Sequence, residues 1–226
     1  MKNIIILDTE TTGLEENKGA KVIEIAVILF NVPTKTVLQE LSTLLPVTDN
    51  PQYKVNKIKP EASNEPMAWE EVKKTINATS KFADAVVAHN AEFDKKWMAS
   101  IDLPDIAAMP WICSCHDFTW PWVGPGSKSL ISIALSMGIP VFAAHRALAD
   151  CRLLAECFAK VKDLEERLEK AKIGKALYKA LVSFDERQLA KDAGFAWNQL
   201  VPNAWAAKLS EEEAAEIKDF KIMRID

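Results

Sequence analysis

Three aliphatic, β-branched runs crowd the first 47 residues: 4–8 (IIILD), 22–32 (VIEIAVILFNV) and 37–47 (VLQELSTLLPV). The last two are separated by the turn-forming Pro33-Thr34-Lys35, so the chain is expected to open on three successive antiparallel strands. After a polar loop from Asn50 to Glu65 the pattern becomes an alternation. A helix is expected near Ala68 to Phe82, a buried strand at 85–90 (AVVAHN), a helix from Glu92 to about Ser100 and a short strand from Trp111 to Cys113. A loop broken by Pro121, Gly124, Pro125 and Gly126 then leads to a helix from Lys128 to Met137, stopped by Gly138-Ile139-Pro140. This order predicts an α/β domain built on a mixed sheet flanked by helices.

From Arg146 a long helix is expected to reach about Lys172, apolar at first and then almost wholly charged (KDLEERLEKAK). A charged continuation of this kind reads as a solvated helix joining modules, which divides the chain into residues 1–165, a linker at 166–174 and a small αβ module at 175–226. Within the module a short strand precedes a helix with a capping-box pattern at Asp185 and Gln188. Trp197 and Trp205 flank a turn containing Pro202-Asn203, and a second box at Ser210 and Glu213 opens a final helical segment.

At 226 residues and 49% hydrophobic, the chain can bury one full core and a small extra module. A net charge of -4 excludes binding that coats nucleic acid by neutralising phosphates over the whole surface; any such contact must be local. The start MKNIIILDTETT has too short an apolar run for a signal peptide and no later stretch is long enough to span a bilayer, which predicts a cytoplasmic protein with no membrane partner. The four cysteines, at 113, 115, 151 and 157, then read as reduced thiols. Cys113, Cys115 and His116 raise the question of zinc, but no second ligand pair follows at a zinc-finger spacing, and packing is the preferred reading.

Three places carry chemistry. Asp8 and Glu10 stand two apart at the end of the first strand, so their carboxylates emerge on one face and can share a cation; a solvated loop entrance is the plainer alternative. The Thr11-Thr12-Gly13-Leu14 turn that follows lets backbone amides approach an anionic ligand. In His89-Asn90-Ala91-Glu92-Phe93-Asp94 a buried strand runs straight into a helix, and Asp94 falls in the first helical turn, where the dipole alone would also explain an acid. Asn90 equally suits a plain N-cap. Finally, His145 and Asp150 lie five residues apart, about 140° around a helix, so they converge only if His145 stays in the loop and Asp150 lies one turn inside. An imidazole held there, with an unperturbed pKa of about 6.5, suits a general base; a helix cap or surface residue is the alternative.

Taken together, Asp-x-Glu at a strand end, His-Asn-x-x-Phe-Asp at a strand-to-helix junction and His-x4-Asp at a helix start resemble the three motifs of the DEDDh 3′ to 5′ exonucleases. This is the group of the proofreading epsilon subunit, ribonuclease T, oligoribonuclease and exonuclease X. The resemblance spans about residues 1–165, and Trp111-Ile112-Cys113 looks nearest the exonuclease X branch. It implies a ribonuclease H-like fold with later strands parallel to the first. It also implies two Mg²⁺ or Mn²⁺ ions on Asp8, Glu10, Asp94 and Asp150, with His145 taking the proton from the attacking water. Such chemistry needs paired cations about 3.5 to 4 Å apart and hard oxygen ligands. The terminal nucleotide is expected against the backbone of Thr11 and Thr12, with Leu14 and Phe93 on the last bases and Asn90 shaping the pocket. Lys95, Lys96 and Lys128 are candidates to guide the strand, with Lys95 and Lys96 better read as plain solvent-facing helix residues.

The substrate so implied is a 3′ end, single-stranded DNA first and RNA second, in a DNA repair setting. The module resembles a small αβ domain appended to DNA-processing enzymes of bacteria and phages; Trp197 and Trp205 either stack on bases or form its core. Two rivals stand beside this reading. One is a catalytically inactive binding module of the same fold; the other is a phosphatase with Asp8 as covalent nucleophile, for which a second Asp two residues on and the later motifs are missing.

Overall fold

The computed structural model describes residues 1–15, 18–64, 68–121, 129–143 and 145–225. The chain divides into two compact units, Met1–Glu169 and Lys170–Asp226. The first contains β1 (Asn3–Thr11), β2 (Val22–Asn31), β3 (Thr36–Leu44), α1 (Tyr53–Asn56), α2 (Pro60–Ser63), α3 (Trp69–Ser80), β4 (Ala85–Ala88), α4 (Ala91–Trp97), α5 (Pro104–Ala108), β5 (Trp111–Cys113), α6 (Leu130–Ser136) and α7 (Ala147–Lys160). A further helix, α8 (Leu164–Ile173), crosses the division. The second unit holds β6 (Ala176–Leu181), α9 (Arg187–Asp192), β7 (Ala196–Trp197), β8 (Trp205–Leu209), α10 (Glu211–Glu216) and β9 (Lys221–Arg224).

The first sheet has the order β3-β2-β1-β4-β5, with β1, β2 and β3 antiparallel and β4 and β5 parallel to β1. β1 and β2 are aliphatic on both faces because both faces are covered; Ile4 to Leu7 and Val22 to Phe30 are all buried. β3 is the edge strand, and its first five residues are exposed. β1 ends at Thr11, one residue beyond the expected Asp8-Thr9-Glu10 end, with a register irregularity between Glu10 and Thr11. The core beneath one face joins Ile5, Leu7, Ile25, Val27 and Val86 to Ile76, Trp97 and Met98.

In the first unit and the helix that leaves it, the structure corrects four sequence-based expectations. The long helix from Arg146 breaks at Val161, which turns to an extended backbone (φ -78°, ψ 118°) and is fully buried. The charged segment beyond it is not free in solvent. Leu164 and Leu168 are buried, Arg167 donates to the Thr119 carbonyl at 2.9 Å, and the amino group of Met1 pairs with Glu165 and Glu169. The loop after Asn50 holds two short helices and a buried amide network in which the Asn50 Nδ2 donates to Asn56 Oδ1 and to the Ile58 carbonyl, both at 2.8 Å. The helix expected from Lys128 starts at Leu130, capped by the Ser129 hydroxyl; Lys128 and the loop glycines Gly124 and Gly126 lie outside the described residues.

The second unit is a four-stranded sheet, β7-β8-β6-β9, over a core of Tyr178, Ala180, Ala190, Phe195 and Ala207. The Ser210–Glu213 capping box forms in full. The Asp185–Gln188 box does not: Ser183 offers its amide and hydroxyl to Glu186 instead, two residues earlier. The final segment is a single helix followed by β9, which pairs with β6 and was not expected. Trp205 packs against the core and Trp197, half exposed, leans on it at 5.8 Å between ring centres. Among the described residues no helix is long and apolar enough to cross a membrane.

Candidate active site

β4 stops at Ala88 while its neighbour β1 continues to Thr11, so the far end of β1 loses its ladder on that side. α4 fills the gap. The Thr9 amide and hydroxyl both donate to Asp94 Oδ1, at 2.9 and 2.7 Å, which holds this carboxyl beside β1 although it is only 2% exposed. Asp8 and Glu10, on either side of Thr9, share the other face. Their carboxylate oxygens and one from Asp150 on α7 all lie within 4.8 Å of one another. Asp94 stands outside that triplet but next to it, and its charge is the foremost Coulombic influence on Asp8.

The electrostatic consequence is a set of carboxyls reluctant to ionise. Burial, then repulsion from Asp94, Asp150, Glu10 and Glu24, holds Asp8 well above the ordinary carboxylate range. Burial followed by Asp150, Glu24 and Asp94 pushes Glu10 up to about 8. Burial pushes Asp94 to about 7 against the pull of its Thr9 bonds, and Asp150 is also raised, chiefly by burial. Four acids so placed need external positive charge to be ionised together at neutral pH. All the donors are hard oxygens, so the set fits Mg²⁺ or Mn²⁺ in kind. Among the described residues no second group of this type occurs; Cys113 is buried, its amide bonded to Asp117 Oδ2, and no metal cage forms around Cys115 or His116.

At the start of α7 the expected division holds. His145 lies outside the helix in a left-handed conformation (φ 60°), exposed, and its amide donates to Asp150 Oδ2 at 3.0 Å. The next two residues are tied to the sheet. Arg146 Nε and Nη2 donate to the two oxygens of Glu24, at 3.0 and 2.9 Å, and the Ala147 amide donates to Glu24 Oε2 at 3.1 Å. Glu24 lies directly across from Glu10 on β2. The sequence reading passed over it; a lone glutamate inside the aliphatic run VIEIAVILF was the available signal.

Around the turn after β1, the Thr12 amide donates to the Lys21 carbonyl and Lys21 returns the bond to the Thr12 hydroxyl. Asn56 donates to the Thr11 carbonyl at 3.4 Å, so the loop network supports the same turn. Gly13 sits in a tight place: a Cβ there would meet the Ala20 Cβ at 3.0 Å, so Ala20 would have to give way by a few tenths of an ångström. Leu14 is 70% exposed, and its carbonyl accepts from Lys96 Nζ at 2.7 Å; the same ammonium sits 4.4 Å from the centre of the Phe93 ring. Lys95 and Lys96 are both exposed, as solvent-facing helix residues would be, but the Lys96 ammonium also bridges the Leu14 carbonyl and the Phe93 ring. Asn90 occupies the N-cap position with φ 77° and makes no side-chain cap bond. An open cleft of about 530 Å³ lies beside this turn, lined in part by Thr12, Leu14, Lys21, Thr48 and Gln52.

Residues 5–158 match the family model described as exonuclease (RNase_T), and residues 176–225 match a family described as a domain of unknown function. Over 168 residues the chain is 32% identical to the DNA polymerase III subunit epsilon of Treponema pallidum (strain Nichols), covering 67% of this chain and 72% of that one. Among solved structures, exonuclease X in complex with 5′ overhanging duplex DNA superposes with a TM-score of 0.55 at 23% identity, over 75% of this chain and 98% of the other. The nuclease domain of 3′hExo, a DEDDh family member bound to rAMP, gives 0.56 at 16% identity, over 73% and 92%. These likenesses establish the ribonuclease H-like exonuclease fold. With the family model spanning both β1 and α7, and the five motif residues Asp8, Glu10, Asp94, His145 and Asp150 in place, the chain belongs to the exonuclease family, in its DEDDh group.

Proposed function

We propose that this protein is a 3′ to 5′ exonuclease that releases nucleoside 5′-monophosphates from the 3′ end of single-stranded DNA. The observation that carries the reading is the meeting of Asp8, Glu10 and Asp150 within 4.8 Å, from elements about 140 residues apart, at a place where burial and mutual repulsion hold all three above the ordinary carboxylate range. Asp8, Glu10, Asp94 and Asp150 would hold two divalent cations, Mg²⁺ or Mn²⁺. When bound, these supply charge neutralisation on the attacking and leaving oxygens and make a water molecule acidic. Asp94, held by Thr9, keeps its carboxyl aimed along β1, and the Asp150 carboxylate orients the His145 backbone. His145, exposed on its loop, accepts the proton of the attacking water at its imidazole. Leu14 and Phe93, joined through Lys96, receive the terminal bases, with Asn90 bordering their pocket and the Thr11-Thr12 turn beneath the last nucleotide.

Residues 1–165 would form the nuclease domain and 175–226 a module that contacts the strand, the two joined by 166–174. The cytoplasm and DNA repair are the proposed setting, in keeping with the epsilon relative. The test is incubation with 5′-labelled single- and double-stranded DNA and RNA, with Mg²⁺ and with EDTA. A metal-dependent ladder of shortening products, fastest on single-stranded DNA, supports the proposal; fastest shortening of RNA would make the protein an exoribonuclease. A ladder that survives Asp8→Ala would overturn the site.

A further inference from the structure

Glu24 is the one charged residue in β2, only 2% exposed, and a valine there would fill the core without adding a charge. Instead its carboxylate adds to the repulsion on Asp8, Glu10 and Asp150. What it gains in return is three donors from one point of α7: the two arms of the Arg146 guanidinium and the Ala147 amide, with Ser42 Oγ adding a fourth at 3.3 Å. The Ala147 amide is one of the first-turn donors that a helix leaves without an internal partner, and no side chain of α7 caps it. A strand glutamate 123 residues away therefore serves as the helix cap, in a position the helix dipole favours.

We propose that Glu24 and Arg146 are positioning residues for the hydrolysis, and that their clamp sets the rotation of α7 and with it the places of His145 and Asp150. The inference rests on the exonuclease reading above. A helix turns about 100° per residue, so a slip of one residue in how α7 sits on the sheet would carry Asp150 out of reach of Asp8 and Glu10. The clamp grips the two residues between His145 and the rest of α7, where such a slip would begin. The bidentate fork also fixes direction, which a lysine could not do. Both Glu24 oxygens are engaged by Arg146 and Ala147, and this fifth acid is not among the carboxylates that meet within 4.8 Å.

The test uses the intact chain with Arg146→Ala, Arg146→Lys, Glu24→Gln and the double variant Glu24→Gln/Arg146→Ala, followed by steady-state kinetics on a labelled oligonucleotide, Mn²⁺ calorimetry and thermal melting. The Arg146 side chain is 47% exposed, so its replacement opens no cavity in the core, and thermal melting together with Glu24→Gln separates any cost of leaving the Glu24 carboxylate unpaired. Groups that orient metal ligands typically contribute 10- to 100-fold, so Arg146→Ala is expected to lower both kcat and Mn²⁺ affinity by about that factor. KM should change by less than about threefold, since strand contacts are untouched. Arg146→Lys should recover only part of the loss, and the double variant should be no worse than the poorer single one. A folded Arg146→Ala protein with kcat and Mn²⁺ affinity within about twofold of the parent would overturn the proposal, as would losses that simply add. If the parent cuts no nucleic acid while Arg146→Ala still weakens Mn²⁺, the clamp stands and the exonuclease reading falls.

Discussion

Replacing Asp8 by asparagine should stabilise this protein without metal and destabilise it, relative to the parent, with metal. The acids of the site all have pKa values raised by folding, so the folded state binds protons more tightly than the unfolded one. The stability they contribute is fully present below the ordinary carboxylate range, near pH 4, and is lost as pH rises toward the folded values of about 7 for Asp94 and about 8 for Glu10. Taken alone, moving Glu10 from 4.5 to about 8 corresponds to roughly 4–5 kcal/mol at pH 8, at about 1.4 kcal/mol per unit. Asp94 carries a similar figure, but the two share one repulsion and do not add. Asp8→Asn removes the charge nearest the centre of that repulsion and keeps the side-chain shape, so a gain of about 2 kcal/mol at pH 8 is a fair share. That is a rise of roughly 4–8 °C in the melting transition of the nuclease unit. At pH 5 the gain should nearly vanish. Saturating Mg²⁺ reverses the order: a ligand at about 100 times its Kd adds about 2.7 kcal/mol to the parent, and Asp8→Asn forfeits most of it. The assay is thermal melting of both proteins at pH 5 and pH 8, in EDTA and in Mg²⁺. Equal or lower stability of Asp8→Asn in EDTA at pH 8 would refute the electrostatic account of the site.

Three further outcomes are expected. His145→Ala should lower turnover by about 10²- to 10⁴-fold, as loss of a general base does, while calorimetry shows metal affinity largely kept; lost affinity would make His145 a ligand. Lys96→Ala should free Leu14 from Phe93 and raise KM several-fold with kcat little changed, and an unchanged KM in steady-state assays would remove both residues from the strand path. Trp205→Ala should destabilise the second unit by roughly 2–3 kcal/mol, short of the 3–5 of a fully buried aromatic, whereas Trp197→Ala, measured by strand binding, should weaken affinity only if bases stack there, and by about 1–3 kcal/mol in that case.

The parts of this fold that were legible in the sequence are those set by neighbours close along the chain. Alternation along β1 placed Asp8 and Glu10 on one face, and helical periodicity forced His145 out of α7 while Asp150 stayed in it. What was not legible depends on partners remote in sequence or on competition between equal local signals. Glu24 reads as an ordinary strand residue until Arg146 and Ala147 are brought to it from 122 and 123 residues away. The helix break at Val161 has no glycine or proline to announce it; burial of that side chain overrides a run with good helical propensity. In the second unit, Asp185–Gln188 and Ser183–Glu186 both fit the capping pattern, and the folded chain uses the second, with the Ser183 amide and hydroxyl donating to Glu186.

These two classes of information meet at one structural device. β1 outlasts β4 by several residues, and that overhang leaves an unpaired strand edge which the sheet alone cannot satisfy. Asp94 completes it through Thr9, Glu10 and Glu24 face each other across its other edge, and Glu24 in turn holds α7. The site is thus assembled by the same bonds that finish the sheet, and its acids are placed by fold-forming contacts before any cation arrives. A cage prepared in this way keeps its ligands together against their mutual repulsion, so that binding of metal relieves strain instead of having to order a loop. The same arrangement explains why an acidic chain can act on a polyanion: the carboxylates that would repel phosphate are the ones a pair of divalent cations would turn into the point of attachment.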